Sequence, residues 1–317
     1  MYTKVKLRYK GQVKEVFCEV QKTWRDTVLA LPSDYVAART VAIKRDGGLG
    51  DIVMLTAAIH RLVELYPHLA VDVYTSEAFI PLLKTDPYIM DVRPMNELNK
   101  WAYDIVLNCV GLVERSRHDT TIDRVTLFSM KICGEPPSEG PLVFLPPYET
   151  VAEAVQPLLE MQEYRVGIAP WAARVHNDWP HTQALVDTLR ANGITPYLIH
   201  NNAQRMATIE GAIPVTLDLI SLAHFLGHLN VLVAVDSGVL HLAAANGYKQ
   251  PYIIGLFGMV HPRLRIRWYH NIVGLADESL QCFPCNMAPQ CSLPSPCMVN
   301  LRPQQIAPMI LQRRARY

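Results

Sequence analysis

The sequence holds no uncharged apolar run approaching the roughly 18 residues that a membrane-spanning helix needs. Its opening stretch, MYTKVKLRYKGQVKEV, alternates charged and apolar residues and lacks the apolar core of a secretory signal. A cytoplasmic chain is therefore expected. An excess of one charge is lacking too: 30 Lys and Arg stand against 29 Asp and Glu, a formal net charge of +1. That balance argues against a dedicated nucleic-acid binder. Basic residues cluster at Arg263-Leu-Arg-Ile-Arg267 and Arg313-Arg-Ala-Arg316. These are either ordinary solvated faces or places to meet an anionic donor, a membrane surface or nucleic acid. In a reducing compartment the seven cysteines point to free thiols or a metal site and against a disulfide framework.

What is present is the composition of a folded protein. Half of the 317 residues are hydrophobic and 19% are charged, and the length suffices for two domains with separate cores. Val5, Leu7 and Tyr9, then Val13, Val16, Cys18 and Val20, alternate with polar residues around Lys10-Gly11. This predicts a β-hairpin extension within residues 1–37. From Thr40 the pattern alternates strand and helix. Strands are expected at 40–44, 70–74, 90–93 and 103–109, and helices at 51–66, 78–83 and 123–133, the last closed by Gly134.

The stretch EPPSEGPLVFLPPYE, with five prolines between 136 and 147, reads as an interdomain connection. Strands are expected again at 165–169, 195–200, 231–235 and 252–257, with helices at 181–191, 219–229 and 240–246. The segment PQQIAPMILQRRARY is expected to pack back across the domains as a terminal helix. The whole predicts an α/β protein of two Rossmann-like domains, 1–148 and 149–317, facing a central cleft. Ligands of such sheets bind at the carboxyl ends of the strands.

Two loops sit at such ends. In VLVAVDSGVLHLAAA, residues 231–245, a strand stops at Asp236, turns through Ser237-Gly238 and resumes as a helix carrying His241. Free N–H groups at that helix start attract an anion such as phosphate, although Asp236 is equally suited to a plain capping role. The second loop, Asp46-Gly-Gly-Leu-Gly-Asp51, follows the strand TVAIK. Its glycines allow a ligand to approach the backbone, but it is not GxGxxG, and no acidic residue ends the next strand, which disfavours a dinucleotide site. Asp51, taken alone, is a favourable partner for the helix dipole.

Late in the chain Cys282-x2-Cys285-x5-Cys291-x5-Cys297 forms a Pro-rich cysteine loop, 282–297. Four thiolates suit a tetrahedral structural zinc or iron; the alternative is a set of free thiols. Cys18, Cys109 and Cys133 read as core residues, and His224 and His228 as a helical pair lacking a third ligand. Trp171 and Trp179 read as packing residues, and Trp101 and Trp268 as possible lining for an acceptor groove.

GGLGDIVMLTAAIHRL and VAVDSGVLHLAAANGYKQPYIIGLFG resemble the first loop and the donor-site signature of the heptosyltransferase-type glycosyltransferases, glycosyltransferase family 9. TDPYIMDV, YDIVLN, RVTLFSMKICG, APWAARVHNDWP and CMVNLRP agree in order, from about Thr40 to Arg302. The resemblance implies a GT-B fold and inverting, metal-independent transfer of a heptose-type or similar sugar from a nucleotide-diphosphate donor, an ADP-sugar in the first place. It places Asp51 as the general base, on the acceptor side. Asp236, Ser237, Gly238 and His241 fall around the donor sugar and diphosphate, and Leu217 or Leu219 at the nucleobase. The first domain would hold the acceptor and the second the donor.

The chain departs from the family at the phosphate loop. Arg174 is retained, but the expected Lys falls on Asn177 and the small hydroxyl residues on Ala172 and Ala173. Arg174, His176 or Arg263 would then have to supply positive charge. The acceptor is a hydroxyl on a glycan, a protein or another polymer, with peripheral membrane contact and a modified DNA base kept as further options. The competing expectations are a non-catalytic nucleotide-sugar-binding protein and a metal-stabilised module that binds a partner.

Overall fold

The computed structural model describes residues 3–9, 12–18, 30–116, 121–285 and 291–317. The chain divides into two compact units, Met1–Phe144 and Leu145–Tyr317.

In unit 1, β1 (Thr3–Tyr9) and β2 (Gln12–Cys18) pair antiparallel, Thr3 opposite Cys18; the expected turn at Lys10-Gly11 lies outside the described residues. A short α1 (Pro32–Ala37) starts on a proline, where no amide is needed. Then follow β3 (Thr40–Lys44), α2 (Leu49–Leu65), β4 (Ala70–Thr75), α3 (Ile80–Leu83), β5 (Asp91–Pro94), β6 (Ile105–Asn108) and α4 (Arg124–Cys133). The four strands β3 to β6 form a parallel sheet in the order β5-β4-β3-β6. On α2, Ile52, Leu55, Ile59 and Leu62 are buried, and α4 packs beside it. Both ends of α4 follow from single residues. Asp123 accepts the Thr126 amide at 2.8 Å as N-cap, and Gly134, at φ +80°, closes the helix with its amide on Met130 O.

Unit 2 contains α5 (Ala152–Glu160), β7 (Val166–Ala169), α6 (Thr182–Ala191), β8 (Tyr197–Ile199), α7 (Ala203–Met206) and β9 (Ile213–Val215). It continues through α8 (Leu219–Gly227), β10 (Val231–Val235), α9 (Gly238–Ala244), β11 (Tyr252–Phe257), α10 (Arg263–Ile266), β12 (Ile272–Ala276), α11 (Pro296–Val299) and α12 (Pro303–Arg314). Its sheet is parallel throughout, in the order β12-β11-β10-β7-β8-β9. Every residue of β7 and β10 is buried, which explains their unbroken apolar runs.

Of the edge strands, β9 (Ile-Pro-Val) is interrupted by proline, whereas β12 (Ile-Val-Gly-Leu-Ala) is as apolar as β7 but only half-buried along its length. The terminal helix α12 lies on α6: Ile306, Ala307 and Ile310 share one core cluster with Leu185, Val186 and Leu189. Unit 2 begins before residue 149 because α8 holds the end of the proline-rich stretch, His224 Nε2–H donating to the Pro146 carbonyl at 2.9 Å.

Candidate active site

In unit 1 the strand order reverses between β3 and β6, the place where open parallel sheets bind ligands. The chain leaves β3 at Arg45, turns at Gly47 with φ +130°, and enters α2 with Gly48 as N-cap, so Asp51 lies in the first turn. A Cβ at Gly47 would stand 3.2 Å from both Arg45 Nη2 and Asp51 Oδ2, in a backbone conformation that side chains rarely adopt. The glycine thus makes room for an ion pair.

Arg45, 1% exposed, donates to the Cys109 carbonyl at 2.8 Å and to both Glu114 carboxylate oxygens at 3.1 and 2.5 Å. Its Nη2 lies 3.4 Å from Asp51 Oδ2. From α4, Arg124 Nη1 donates to Asp51 Oδ1 at 2.8 Å. Guanidinium groups therefore meet both Asp51 oxygens, while 14% of its side chain stays accessible. Burial works to raise the Glu114 carboxyl, but the bonds and charge of Arg45 outweigh it and hold the group below its ordinary range. Burial likewise works against the Arg45 charge, and Glu114 and Asp51 more than restore it.

In unit 2 the order reverses between β10 and β7, and two loops leave the carboxyl ends of those strands. One is the Asp236–Gly238 junction. The other runs from Pro170 to His181 and contains the altered phosphate loop. They are joined directly, since Asn177 Nδ2 donates to the Asp236 carbonyl at 3.3 Å. Asn177, buried at the position of the expected Lys, ties one loop to the other instead of presenting charge. Arg174 beside it is exposed and His176 is half-buried, its Nδ1 3.4 Å from Ser295 Oγ. The loop is braced elsewhere: Asp178 pairs with Arg205 at 2.6 Å, Arg205 lies over the Trp171 ring, and Trp179, 1% exposed, donates from Nε1 to Leu301 O at 2.7 Å. Trp171 and Trp179 are thus packing residues.

At the Asp236 junction, Ser237 is the N-cap of α9, yet its side chain makes no capping bond. Its Oγ is buried and has no hydrogen-bond partner among the described residues. Such a group in a native fold asks for a missing partner. Gly238 opens the helix, which is only seven residues long.

His241, which the resemblance places around the donor, is turned toward Asp236 and Tyr269. It is 2% exposed, with Nε2 3.5 Å from Asp236 Oδ1 and Nδ1 3.1 Å from the Tyr269 hydroxyl. Arg265 Nε lies 3.7 Å from the other Asp236 oxygen. Within the basic cluster, then, buried Arg265 approaches the site, while Arg263 is exposed. Burial, then the Asp236 charge, pushes the Tyr269 hydroxyl well above its ordinary range, so it is a standing O–H donor. Leu217 is half-buried between β9 and α8.

Arg45, Glu114, Arg124, Arg265 and Tyr269 were not foreseen as site residues. Arg45 stands beside a motif, Arg124 opens the segment RVTLFSMKICG and Arg265 lies inside a singled-out cluster; Glu114 and Tyr269 carried no local signal.

The cysteines are dispersed in environment. Cys282 is exposed, Cys285 and Cys291 are half-buried and Cys297 is buried. Burial, with a smaller contribution from the Cys291 and Cys285 thiols, pushes the Cys297 thiol up to about 11. Among the described residues no group of three or more His, Cys, Asp or Glu could hold a metal ion. Cys109 and Cys133 are buried core thiols, both pushed up to about 12 chiefly by burial.

Residues 146–294 match the family model "Glycosyltransferase family 9 (heptosyltransferase)". A glycosyl transferase family 9 structure from Veillonella parvula superposes with a TM-score of 0.71 at 15% identity, covering 89% of this chain and 99% of that one. ADP-heptose lps heptosyltransferase II of E. coli gives 0.64 at 15%, covering 87% and 99%. The E. coli protein TibC, described as a dodecameric iron-containing heptosyltransferase in complex with ADP-D-β-D-heptose, gives 0.67 at 16%, covering 87% and 76%. At these identities the likeness is one of fold. No curated protein matches the chain by sequence. The resemblance carried by the motifs holds: residues 146–294 match the glycosyltransferase family 9 (heptosyltransferase) model, in a chain with the fold of the GT-B heptosyltransferase structures.

Proposed function

We propose that the chain is an inverting glycosyltransferase that moves a heptose-type sugar from an ADP-sugar to an acceptor hydroxyl without a catalytic metal. The observation that carries this is the meeting of the 170–181 loop and the Asp236–Gly238 junction at the strand-order reversal of unit 2, joined by the bond from Asn177 to Asp236. The ADP-heptose named for two of the similar structures supports the choice of nucleotide.

In this reading Asp51 takes the acceptor hydroxyl proton as that oxygen attacks the anomeric carbon. The bond from that carbon to the diphosphate breaks, and the electron pair leaves with ADP. Backside attack in one step inverts the anomeric centre. The Ser237 hydroxyl, the backbone amides at the start of α9, and Arg174 or His176 would receive the charge that gathers on the diphosphate. A cytoplasmic acceptor-side role for unit 1 and a donor-side role for unit 2 belong to the same proposal.

Donor turnover tests it. With ADP-heptose and a panel of other ADP- and UDP-sugars, wild-type protein should release nucleotide diphosphate, and Asp51→Asn should lower the rate by about 10²–10⁴-fold, the usual contribution of a general base. Tight donor binding with no release by wild type would instead indicate a passive binder.

The spacing of the four cysteines and the iron in the name of TibC support a structural iron or zinc on the 282–297 loop, although no three of these thiols are gathered into a metal site in this structure. Metal analysis of purified wild type against Cys285→Ser decides this, and a folded wild type free of metal would end it.

A further inference from the structure

We propose that Tyr269 is the positioning residue that sets the Asp236 carboxylate, acting through His241. The proposal rests on the reading above only in taking Asp236 as a group that meets the donor.

His241 turns Nε2 toward a carboxylate oxygen at 3.5 Å and Nδ1 toward the Tyr269 hydroxyl at 3.1 Å. A bare nitrogen lone pair facing a carboxylate would be repelled, so Nε2 carries the hydrogen. In the neutral ring Nδ1 is then the acceptor, and the hydroxyl of Tyr269 is the donor. The opposite tautomer would oppose two lone pairs on one side of the ring. On the other it would leave the buried tyrosine O–H without an acceptor, because His241 Nδ1 is its hydrogen-bond partner here. Tyr269 and His241 are both buried, so water does not offer an easy substitute.

The arrangement is built from two distant stretches. Asp236 and His241 belong to the β10–α9 junction, whereas Tyr269 follows α10, 28 residues beyond His241. The same α10 brings Arg265 to the second carboxylate oxygen at 3.7 Å. One segment therefore flanks Asp236 on both oxygens, by a cation on one side and by a tyrosine-oriented imidazole on the other. The Asp236 backbone is fixed as well, its carbonyl held by Asn177 and its amide donating to Leu256 O at 3.1 Å. Tyr269 thus decides which way the imidazole presents its N–H, and the imidazole decides where the carboxylate rests.

Two measurements on the full chain test this. The first is the tautomer of His241, read from long-range ¹H–¹⁵N couplings of the imidazole, with His241→Gln used for assignment. The proposal expects the Nε2–H form in wild type and a mixture of both tautomers in Tyr269→Phe, which removes only one oxygen. The second is ADP affinity by titration calorimetry. Tyr269→Phe should weaken ADP about fivefold, the equivalent of one hydrogen bond, and should weaken it no further when His241→Gln is already present. An Nδ1–H tautomer in wild type overturns the proposal, as does an unchanged tautomer in Tyr269→Phe. If Tyr269→Phe fails to fold, the wild-type tautomer still decides. If wild type binds no ADP, the donor reading fails, and the couplings judge the role of Tyr269 separately.

Discussion

Arg45 carries a full charge at 1% exposure, a placement that folds tolerate only when the charge is paired. The Cys109 carbonyl and the Glu114 and Asp51 carboxylates meet its two Nη groups, whereas its buried Nε has no hydrogen-bond partner among the described residues. The Phe128 ring centroid lies 5.2 Å from the guanidinium carbon. Arg45→Met keeps the stem but leaves two carboxylates facing one another without their shared cation. Breaking a buried pair from one side costs about 3–5 kcal/mol. The lower end is expected, since Glu114 is about a third exposed and Arg124 still reaches Asp51. Urea unfolding of Arg45→Met against wild type measures it, and a loss within error would show the network to be dispensable. Arg45 was invisible as a site residue because its bonds span 64 and 69 positions in the chain. Gly47 was legible as a close approach to the backbone, yet the approaching group proved to be the protein's own ion pair.

At the scale of an element, α8 shows how a helical pattern hides its chemistry. His224 and His228 sit one turn apart, packed between the rings of Tyr148 and Tyr248 with centroid separations of 5.3 to 5.7 Å. His224 Nδ1 and His228 Nε2 are buried with no hydrogen-bond partner among the described residues. Burial is the first cause that holds both imidazoles below their ordinary range, opposed at His224 by the Pro146 carbonyl and Glu149, and reinforced at His228 by Lys249, Arg165 and His224.

The sign of the effect follows. Folded-state values lie below the unfolded value, so the unfolded chain binds more protons in acid. The stability these groups contribute is present above the unfolded value, about 6.5, and is lost as pH falls through the lower folded values. Unfolding free energy should therefore drop between neutral pH and pH 5. The drop should be smaller in the double variant His224→Gln, His228→Phe, whose Gln can still donate to Pro146 O. Equal slopes for the two proteins would refute this account. The helix itself was readable from its apolar period, and so were the caps of α4. The edges β9 and β12 were not, since short half-exposed strands gain their identity from pairing with neighbours rather than from pattern.

For the whole molecule, two repeats of strand and helix with a proline-rich stretch between them were enough to announce two α/β units. Both loops singled out in the sequence sit where a sheet reverses its strand order, and that coincidence is the strongest link between fold and function. What the sequence could not supply was the pairing of His241 with Tyr269, of Asp236 with Arg265, or of Asp51 with Arg45 and Arg124. Those contacts exist only once distant segments are stacked.

The proposed division of labour has a consequence that hydrogen exchange can read across the full chain. Saturating ADP stabilises the state that binds it, by about 2.7 kcal/mol when present at 100 times its dissociation constant. Amides that open only by unfolding of the binding loops should slow accordingly. Protection should therefore rise at 170–181 and 236–241, the two loops joined through Asn177. It should stay unchanged at 45–51, where Arg45 and Arg124 already occupy both oxygens of Asp51. Protection gained at 45–51 and absent from 236–241 would move the nucleotide to unit 1 and reverse the assignment of donor and acceptor sides.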